Sequence, residues 1–197
     1  MNKSILIVIV MGISIFACQP PENKTKNDLA NPFLTDWETP FEVPPFDQIR
    51  EEHYIPAIKK GIEQHESEIN AIEKNSKTAD VENTIVALDQ SGELLDRVIG
   101  VFFPLNSANT NDNMQSIARE ISPLLTSHFD NISLNPVLFK RIKEVYDKKE
   151  DLGLDDQQVR ATTKYYEDFV RNGANLSEKD QRILREINEE LSKLSLQ

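Results

Sequence analysis

The sequence contains a single cysteine, Cys18, among its 197 residues. A lone thiol can form no disulfide within the chain, and it cannot provide a cysteine-based zinc site. Glycine is also scarce, with six residues, and there is no glycine-rich phosphate-binding loop and no GxSxG nucleophile motif. The three histidines, His53, His65 and His128, stand far apart along the sequence. The residues by themselves therefore indicate no reaction.

Basic residues are fewer than acidic residues, with 22 Lys and Arg against 33 Asp and Glu, which gives a net charge of -11. A chain of this sign repels phosphate backbones, so the composition argues against nucleic-acid binding. Hydrophobic residues make up 39% of the chain and charged residues 28%, a balance that suits a packed domain rather than a disordered chain. The length allows one domain of ordinary size after an N-terminal export segment.

An apolar run at residues 5–17, preceded by Lys3, is the main feature of the N-terminus. At about thirteen residues it is too short for a permanent membrane-spanning helix, and it suits the core of a signal peptide. It ends in IFAC at residues 15–18, which resembles a bacterial lipobox. Residues 1–17 are therefore predicted to be a signal peptide, and Cys18 is predicted to be the lipid-attachment site. An ordinary secretory signal with an incidental cysteine is the alternative.

Residues 18–31 are polar and show no periodicity, so we expect a lipid-anchored flexible tether between the membrane and the domain. Gln19 rather than Asp follows the cysteine, and by resemblance to lipoproteins the expected location is the bacterial outer membrane, facing the periplasm.

Residues 32–45 are rich in proline and carry Phe33, Trp37 and Phe41 at four-residue steps. We expect an extended segment that lays these rings onto a helical body. A peptide-binding aromatic surface is the alternative.

The most apolar stretch, residues 83–105, is expected to be the central helix of an all-α domain. Its apolar residues recur at helical spacing, with one skipped contact at Ser91 or Gly92. Similar stripes continue to the C-terminus and predict about six helices after Phe46 and no sheet.

Caps and prolines divide the later helices. The predicted N-caps are Thr110, Asn135, Asp155 or Asp156, and Ser177. Pro104 is expected to end the central helix, and Pro123 is expected to kink or split the next one. The apolar stripe of the last helix is expected to be partly uncovered, because the sequence stops before a partner element. That stripe consists of Ile183, Ile187, Leu191 and Leu194.

His65 and Glu66 begin an apparent HExxH motif, the helical zinc-protease signature. Ile69 stands where the second histidine is required, so one ligand of the set is missing. His65 is therefore interpreted as an ordinary helix residue, and His128, beside another apolar stripe, as a packed or rim histidine. No catalytic residue and no metal-binding residue is predicted in this chain.

Three stretches, in order, carry a family resemblance. They are NPF at 31–33 with PFDQI at 45–49 and HYIPA at 53–57; NTI at 83–85 with ALDQSGELL at 87–95; and NTND at 109–112. Together they resemble the N-terminal region of the thimet oligopeptidase family of zinc metallopeptidases. The SGELL letters at 91–95, followed by Arg97 and Val98, fit the bacterial peptidyl-dipeptidase members, called Dcp, better than oligopeptidase A.

The resemblance implies an almost wholly helical fold and an enzyme family that cleaves short peptides in a channel between two lobes. Peptidyl-dipeptidase members release dipeptides from the C-terminus of the peptide. The family's zinc, its HExxH helix and a later Glu lie in the C-terminal half and have no counterpart here. Residues 32–197 are therefore expected to be a helical N-terminal domain, truncated before the catalytic domain, that forms one wall of the channel.

Alone, such a chain is expected to bind no zinc and to be inactive. The expected partners are short peptide substrates in the full-length form, a C-terminal catalytic half, and the membrane through the lipid on Cys18. The alternative function is a non-catalytic helical lipoprotein that binds peptides or a protein partner.

Overall fold

The structure, a computed structural model, describes residues 31–195. The predicted signal peptide, Cys18 and the tether up to residue 30 lie outside the described residues. Within residues 31–195 the fold is helical and contains no strand, and six of the helices have twelve or more residues. The prediction of an all-α domain with about six helices is confirmed.

Short 3₁₀ turns at Pro32–Leu34, Pro40–Glu42 and Glu51–His53 precede the first helix. The α-helices are α1 (Tyr54–Glu73), the short α2 (Ala87–Asp89), α3 (Glu93–Ala108), α4 (Asp112–Ser133), α5 (Pro136–Asp147), α6 (Asp156–Arg171) and α7 (Glu178–Leu194). A π-helical turn, Val81–Val86, leads directly into α2.

Side-chain caps fix several helix starts. Asn135, Asp155 and Ser177 each accept a hydrogen bond from a backbone N–H in the first turn of α5, α6 and α7, as predicted. The predicted cap of α4 is wrong by one residue, because Asn111 rather than Thr110 accepts from the first turn. The Thr110 hydroxyl instead donates back to a side chain of α3.

The central helix predicted at residues 83–105 is wrong as one continuous element. The chain turns after α2, and Gly92, with φ of 81°, lies immediately before α3. This left-handed conformation is one that glycine adopts without a steric cost. The skipped contact at Ser91 and Gly92 marks the break. The predicted buried face is nevertheless correct, since the following residues are at most 8% exposed: Ile85, Leu88, Leu95, Val98 and Phe102.

Helix α3 does not end at Pro104, contrary to prediction, and α4 is not split at Pro123, while the alternative of a kink at Pro123 stays a prediction. α3 continues through Pro104 to Ala108, and α4 continues through Pro123 to Ser133. An interior proline costs about 3 kcal/mol because it removes a backbone donor and crowds the preceding turn. Both prolines lie outside the core, whereas Phe102 and Ile121, two positions before them, are fully buried. Packing of the neighbouring turns therefore outweighs the local preference.

Two hydrophobic clusters share α1. Ala57 and Ile58, in its first half, belong to a cluster with α3, α4 and Phe33. Ile69 and Ile72, in its second half, belong to a cluster with the π-helical turn, α2, α5 and α6. The helix therefore connects both parts of the core.

The N-terminal aromatic residues behave differently from one another. Phe33 is fully buried and lies 5.4 Å from Tyr54 between ring centres. Trp37 packs partly against the same cluster, and its indole N–H donates to the Pro32 carbonyl at 2.9 Å. Phe41 is 98% exposed, so the expectation that all three rings lie on the helical body is correct for two and wrong for Phe41. The alternative of a peptide-binding aromatic surface stays a prediction.

Polar contacts attach α7 to the rest of the fold. Asn188 donates to Asp130 and Arg185 donates to Asn131, both at 2.8 Å and both on α4. No residue of α7 is buried. The predicted exposure of its stripe is confirmed, with side chains 45 to 58% exposed at Ile183, Ile187, Leu191 and Leu194. None of the described helices is both long and apolar enough to span a bilayer.

Candidate functional site

The structure brings together two histidines that lie 63 positions apart. His65 of α1 and His128 of α4 are both buried, and the His128 Nε2 atom lies 3.0 Å from the His65 Nδ1 atom. The other ring nitrogen of His65, Nε2, lies 3.1 Å from the Ser91 hydroxyl oxygen. Helix α1, helix α4 and the turn before α3 therefore meet at this histidine pair, and His65 lies on α1 between the residues of its two core clusters.

The turn that carries Ser91 is held tightly against α1. The Gly92 N–H donates to the Glu68 carboxylate at 2.7 Å. A side chain at position 92 has no space, because its Cβ atom would lie 2.7 Å from the His65 Nδ1 atom. Glycine is thus required here for its backbone conformation and for the close approach of the imidazole.

The contact order Ser91–His65–His128 matches the order of nucleophile, base and orienting group in a hydrolase triad. The Ser91 hydroxyl, however, also lies 2.7 Å from the Leu88 carbonyl and donates its proton there. That proton is not directed at His65, so the imidazole does not activate the serine oxygen. The arrangement serves as a structural link rather than as a nucleophile.

The electrostatics of the pair are set by burial and by two carboxylates. Burial lowers the pKa of His65, and the charge of Glu68 acts in the opposite direction. Burial and then the charge of His65 lower the pKa of His128, while Glu66 opposes them. The Glu66 Oε1 atom lies 3.9 Å from the His128 Nδ1 atom. Both imidazoles are therefore favoured in their neutral forms.

The donor set does not fit a hydrolytic zinc centre. Such a centre needs about three protein ligands and an open position. Two of the four imidazole nitrogens of His65 and His128 face each other, and Ile69 occupies the second HExxH position. His53 stands apart, where its Nδ1 atom accepts from the Arg50 N–H. Residues 31–195 contain no group of three or more His, Cys, Asp or Glu side chains that could hold a metal.

Arg141 is a second buried polar group, and no local pattern in the sequence indicates it. Its guanidinium donates to the Asn75 carbonyl at 2.9 Å, the Asn83 side chain at 2.7 Å and the Thr84 hydroxyl at 3.3 Å. These contacts link α5 to the segment after α1, through Asn75, and to the π-helical turn, through Asn83 and Thr84. All of these acceptors are neutral oxygens, so the dipoles of these carbonyl, amide and hydroxyl groups stabilise the positive charge of the guanidinium.

A groove of ≈ 430 Å³ lies between α3, α4 and α7. Aromatic and aliphatic side chains share its walls with hydroxyl groups, and its one carboxylate, Asp130, is held by Asn188. It offers shape and apolar surface but no paired acid and base. Its main lining residues are Ile99, Phe103, Leu125, Phe129, Ser192 and Ser195.

The described residues thus define an all-α lobe with a buried histidine link and no assembled catalytic group. No family model matches the chain. Dipeptidyl carboxypeptidase of Escherichia coli (strain K12) is 41% identical over 167 residues, which are 85% of this chain and 24% of that protein. The Salmonella typhimurium dipeptidyl carboxypeptidase is 39% identical over 85% of this chain and 25% of its own length. Oligopeptidase A of E. coli is 26% identical over 86% of this chain and 24% of that protein.

The chain therefore resembles the N-terminal region of the thimet oligopeptidase family, as the sequence motifs predicted. Identity is higher to the dipeptidyl carboxypeptidases than to Oligopeptidase A, in agreement with the prediction. The chain spans about a quarter of the length of the curated relatives it matches.

The contact between His65 and His128 is not predicted by the sequence. Each histidine lies on or beside an apolar stripe, which is the available signal that both rings are buried. Spacing alone does not reveal which two stripes face each other. Cys18, the predicted lipid-attachment site, lies outside the described residues.

Proposed function

We propose that this chain is the N-terminal lobe of a peptidyl-dipeptidase, a zinc metallopeptidase that releases dipeptides from the C-terminus of short peptides. The observation that carries the proposal is 41% identity to a dipeptidyl carboxypeptidase across 85% of the chain. In this role the lobe forms one wall of the substrate channel. The alternative of a non-catalytic helical lipoprotein is not favoured, because the matched relatives carry peptidase names.

The catalytic zinc belongs, in this proposal, to the polypeptide that the relatives have beyond the matched quarter. Zinc there would supply a Lewis acid and an activated water. In this proposal residues 31–195 contribute no ligand, because they contain no group of three or more side chains that could hold a metal. The isolated chain is therefore expected to be inactive, and its role is to shape the channel and limit access to it.

The exposed apolar stripe of α7 supports the proposal that this lobe packs against a further domain. Asn188 and Arg185 bind this helix to α4, while the four aliphatic residues of its stripe are 45 to 58% exposed. Exposed apolar surface of this kind marks an interaction site. We assign it to contact with the C-terminal catalytic half.

A fusion tests the function. The chain is joined to the part of E. coli dipeptidyl carboxypeptidase that lies beyond its matched quarter, and dipeptide release from a short blocked peptide is measured with and without a chelator. Chelator-sensitive release by the fusion, and none by the chain alone, is the expected result. A folded fusion without activity would contradict the proposed function, and chelator-sensitive activity of the chain alone would reveal a metal site within it.

Membrane anchoring is a separate part of the proposal. Residues 1–17 act as the signal peptide, and Cys18 carries the lipid that holds the protein at the outer membrane, facing the periplasm. Cys18→Ser is expected to abolish incorporation of labelled fatty acid and to release the protein from the membrane fraction. Thr25→Ser, in the tether, is the matched control and should retain both. Equal labelling of the two variants would rule out Cys18 as the attachment site.

A further inference from the structure

The hydrogen bonds around His65 run in one direction. Ser91 donates its hydroxyl proton to the Leu88 carbonyl at 2.7 Å, so towards His65 its oxygen is an acceptor. The Nε2 atom of His65 must then carry a proton and donate it. In a neutral imidazole the other nitrogen is an acceptor, so the His65 Nδ1 atom accepts. His128 therefore donates to it through its own Nε2–H at 3.0 Å.

With the hydrogen bonds in this direction, the His128 Nδ1 atom is left without a donor. The His128 Nδ1 atom is a bare lone pair in the neutral ring, and it has no hydrogen-bond partner among the described residues. The His128 side chain is 1% exposed, so water does not satisfy that lone pair from bulk solvent. The nearest anionic group is Glu66, whose Oε1 atom lies 3.9 Å away and whose side chain is 54% exposed.

We propose that the buried His128 Nδ1 atom and the partly exposed Glu66 carboxylate form a proton-binding site that takes up one proton from solvent. Protonation at Nδ1 turns the bare lone pair into an N–H donor 3.9 Å from a Glu66 carboxylate oxygen. It breaks no existing bond, because the Nε2–H of His128 still donates to His65. At the observed 3.9 Å the imidazolium and the carboxylate form an ion pair, and the half-exposed Glu66 side chain has to move closer for a charge-assisted hydrogen bond to form.

The surrounding charges determine the pH at which this site binds its proton. Glu66 attracts the proton, whereas burial and the neighbouring imidazole of His65 oppose it. Glu68 acts on His65, and its carboxylate already accepts from the Gly92 N–H. Asp130, two positions further along α4, is engaged by Asn188 of α7. Proton binding is therefore expected below the ordinary pH range of histidine, near 6.5.

His65 cannot serve as the proton site without breaking the link. Its Nε2 atom is already protonated, and its Nδ1 atom accepts from His128. A proton on that Nδ1 atom would set two N–H groups against each other. The site is also unsuited to a metal, because one imidazole nitrogen and one carboxylate fall short of the usual ligand number.

Nuclear magnetic resonance of the full chain, labelled with ¹⁵N at histidine and kept in mild detergent, tests the proposal. At pH 8, long-range proton–nitrogen couplings are expected to show the Nε2–H tautomer for both His65 and His128. As the pH is lowered, the Nδ1 atom of His128 should be protonated before either ring nitrogen of His65 changes. Glu66→Gln is expected to lower the pH midpoint of His128 by about one unit, a tenfold loss of proton affinity.

Glu63→Gln is the matched control, because it removes another exposed carboxylate of α1, one that pairs with Lys60. It should leave the His128 midpoint unchanged. Three results would overturn the proposal: a neutral His128 that carries its proton on Nδ1, equal midpoints in the two variants, or specific broadening of the His128 signals by one equivalent of Zn²⁺ at pH 8. The last result would make Nδ1 a metal ligand instead.

Discussion

At Gly92, two constraints fall on one residue. Its φ of 81° is unfavourable for residues with a side chain, and a Cβ atom would lie within 3 Å of the His65 ring. The same residue donates its N–H to Glu68. Glycine at position 92 thus allows both the local break in the helix and the close packing of the histidine pair.

Gly92→Ala is therefore expected to lower the free energy of unfolding by about 2–4 kcal/mol, the sum of backbone strain and overpacking. Urea denaturation of both chains measures the difference. Gly100→Ala is the matched control, because Gly100 lies inside α3 and an added Cβ atom would meet nothing within 4 Å. This control should stabilise the chain by about 0.5–1 kcal/mol. Similar effects at both positions would show that His65 does not restrict position 92.

The pKa of each histidine in the pair is lowered by burial, so the folded chain binds fewer protons than the unfolded chain at acid pH. For these groups the free energy of unfolding is therefore highest above the unfolded histidine pKa of about 6.5, and it falls as the pH drops below that value. His128→Gln should flatten this fall between pH 7 and pH 5, as measured by urea denaturation at each pH.

His53→Gln is the control for that measurement, because it removes a histidine that lies outside the pair. It is expected to retain the acid-dependent fall in the free energy of unfolding. A fall that persists unchanged in His128→Gln would assign the pH dependence to other groups and contradict the expectation.

At the scale of the element, α7 shows that an amphipathic pattern does not say what its apolar face contacts. The sequence predicts both the stripe and its exposure correctly. The hydrogen bonds that join this helix to α4, from Asn188 to Asp130 and from Arg185 to Asn131, come from its polar residues. Apolar spacing identifies a face, whereas the elements packed against each face depend on the whole fold.

Ile187→Ser, on the exposed stripe, should change the free energy of unfolding of this chain by no more than about 0.5 kcal/mol. Ile142→Ser, at a fully buried position of α5, is the control and should cost about 3 kcal/mol or more, because it removes core contacts and buries a hydroxyl. Urea denaturation measures both. In the fusion with the catalytic half, Ile187→Ser should lower stability more than it does in the chain alone. The same small effect in both would argue against contact at this stripe.

How far the sequence predicts the fold follows from the range of the interactions involved. Buried positions such as Leu95 and Phe102 are predicted because helical spacing is a local property of the chain. The prediction for Pro104 is wrong because tertiary packing overrides a local preference. The pairing of His65 with His128 is not predictable from one sequence, since it depends on how two helices cross whose histidines are 63 positions apart.

At the scale of the whole molecule, α1 is the element that joins the two hydrophobic clusters. It contributes Ala57 and Ile58 to one cluster and Ile69 and Ile72 to the other. A Cβ atom added at Gly61 would lie 2.9 Å from the Leu95 Cα atom, so α1 also crosses α3 at close range. A helix shared in this way cannot unfold on one side without disturbing the other.

The lobe is therefore expected to unfold as one cooperative unit. Trp37, the single tryptophan, packs against the first cluster and reports on it by fluorescence, whereas circular dichroism reports on all helices. Ile142→Ala, in the second cluster, should lower the free energy of unfolding by about 2–5 kcal/mol. Both probes should shift together, because loss of the second cluster releases the C-terminal half of α1 and with it the packing near Trp37. A fluorescence midpoint that stays at the wild-type value while the dichroism midpoint falls would show two independent units and would contradict the role assigned to α1.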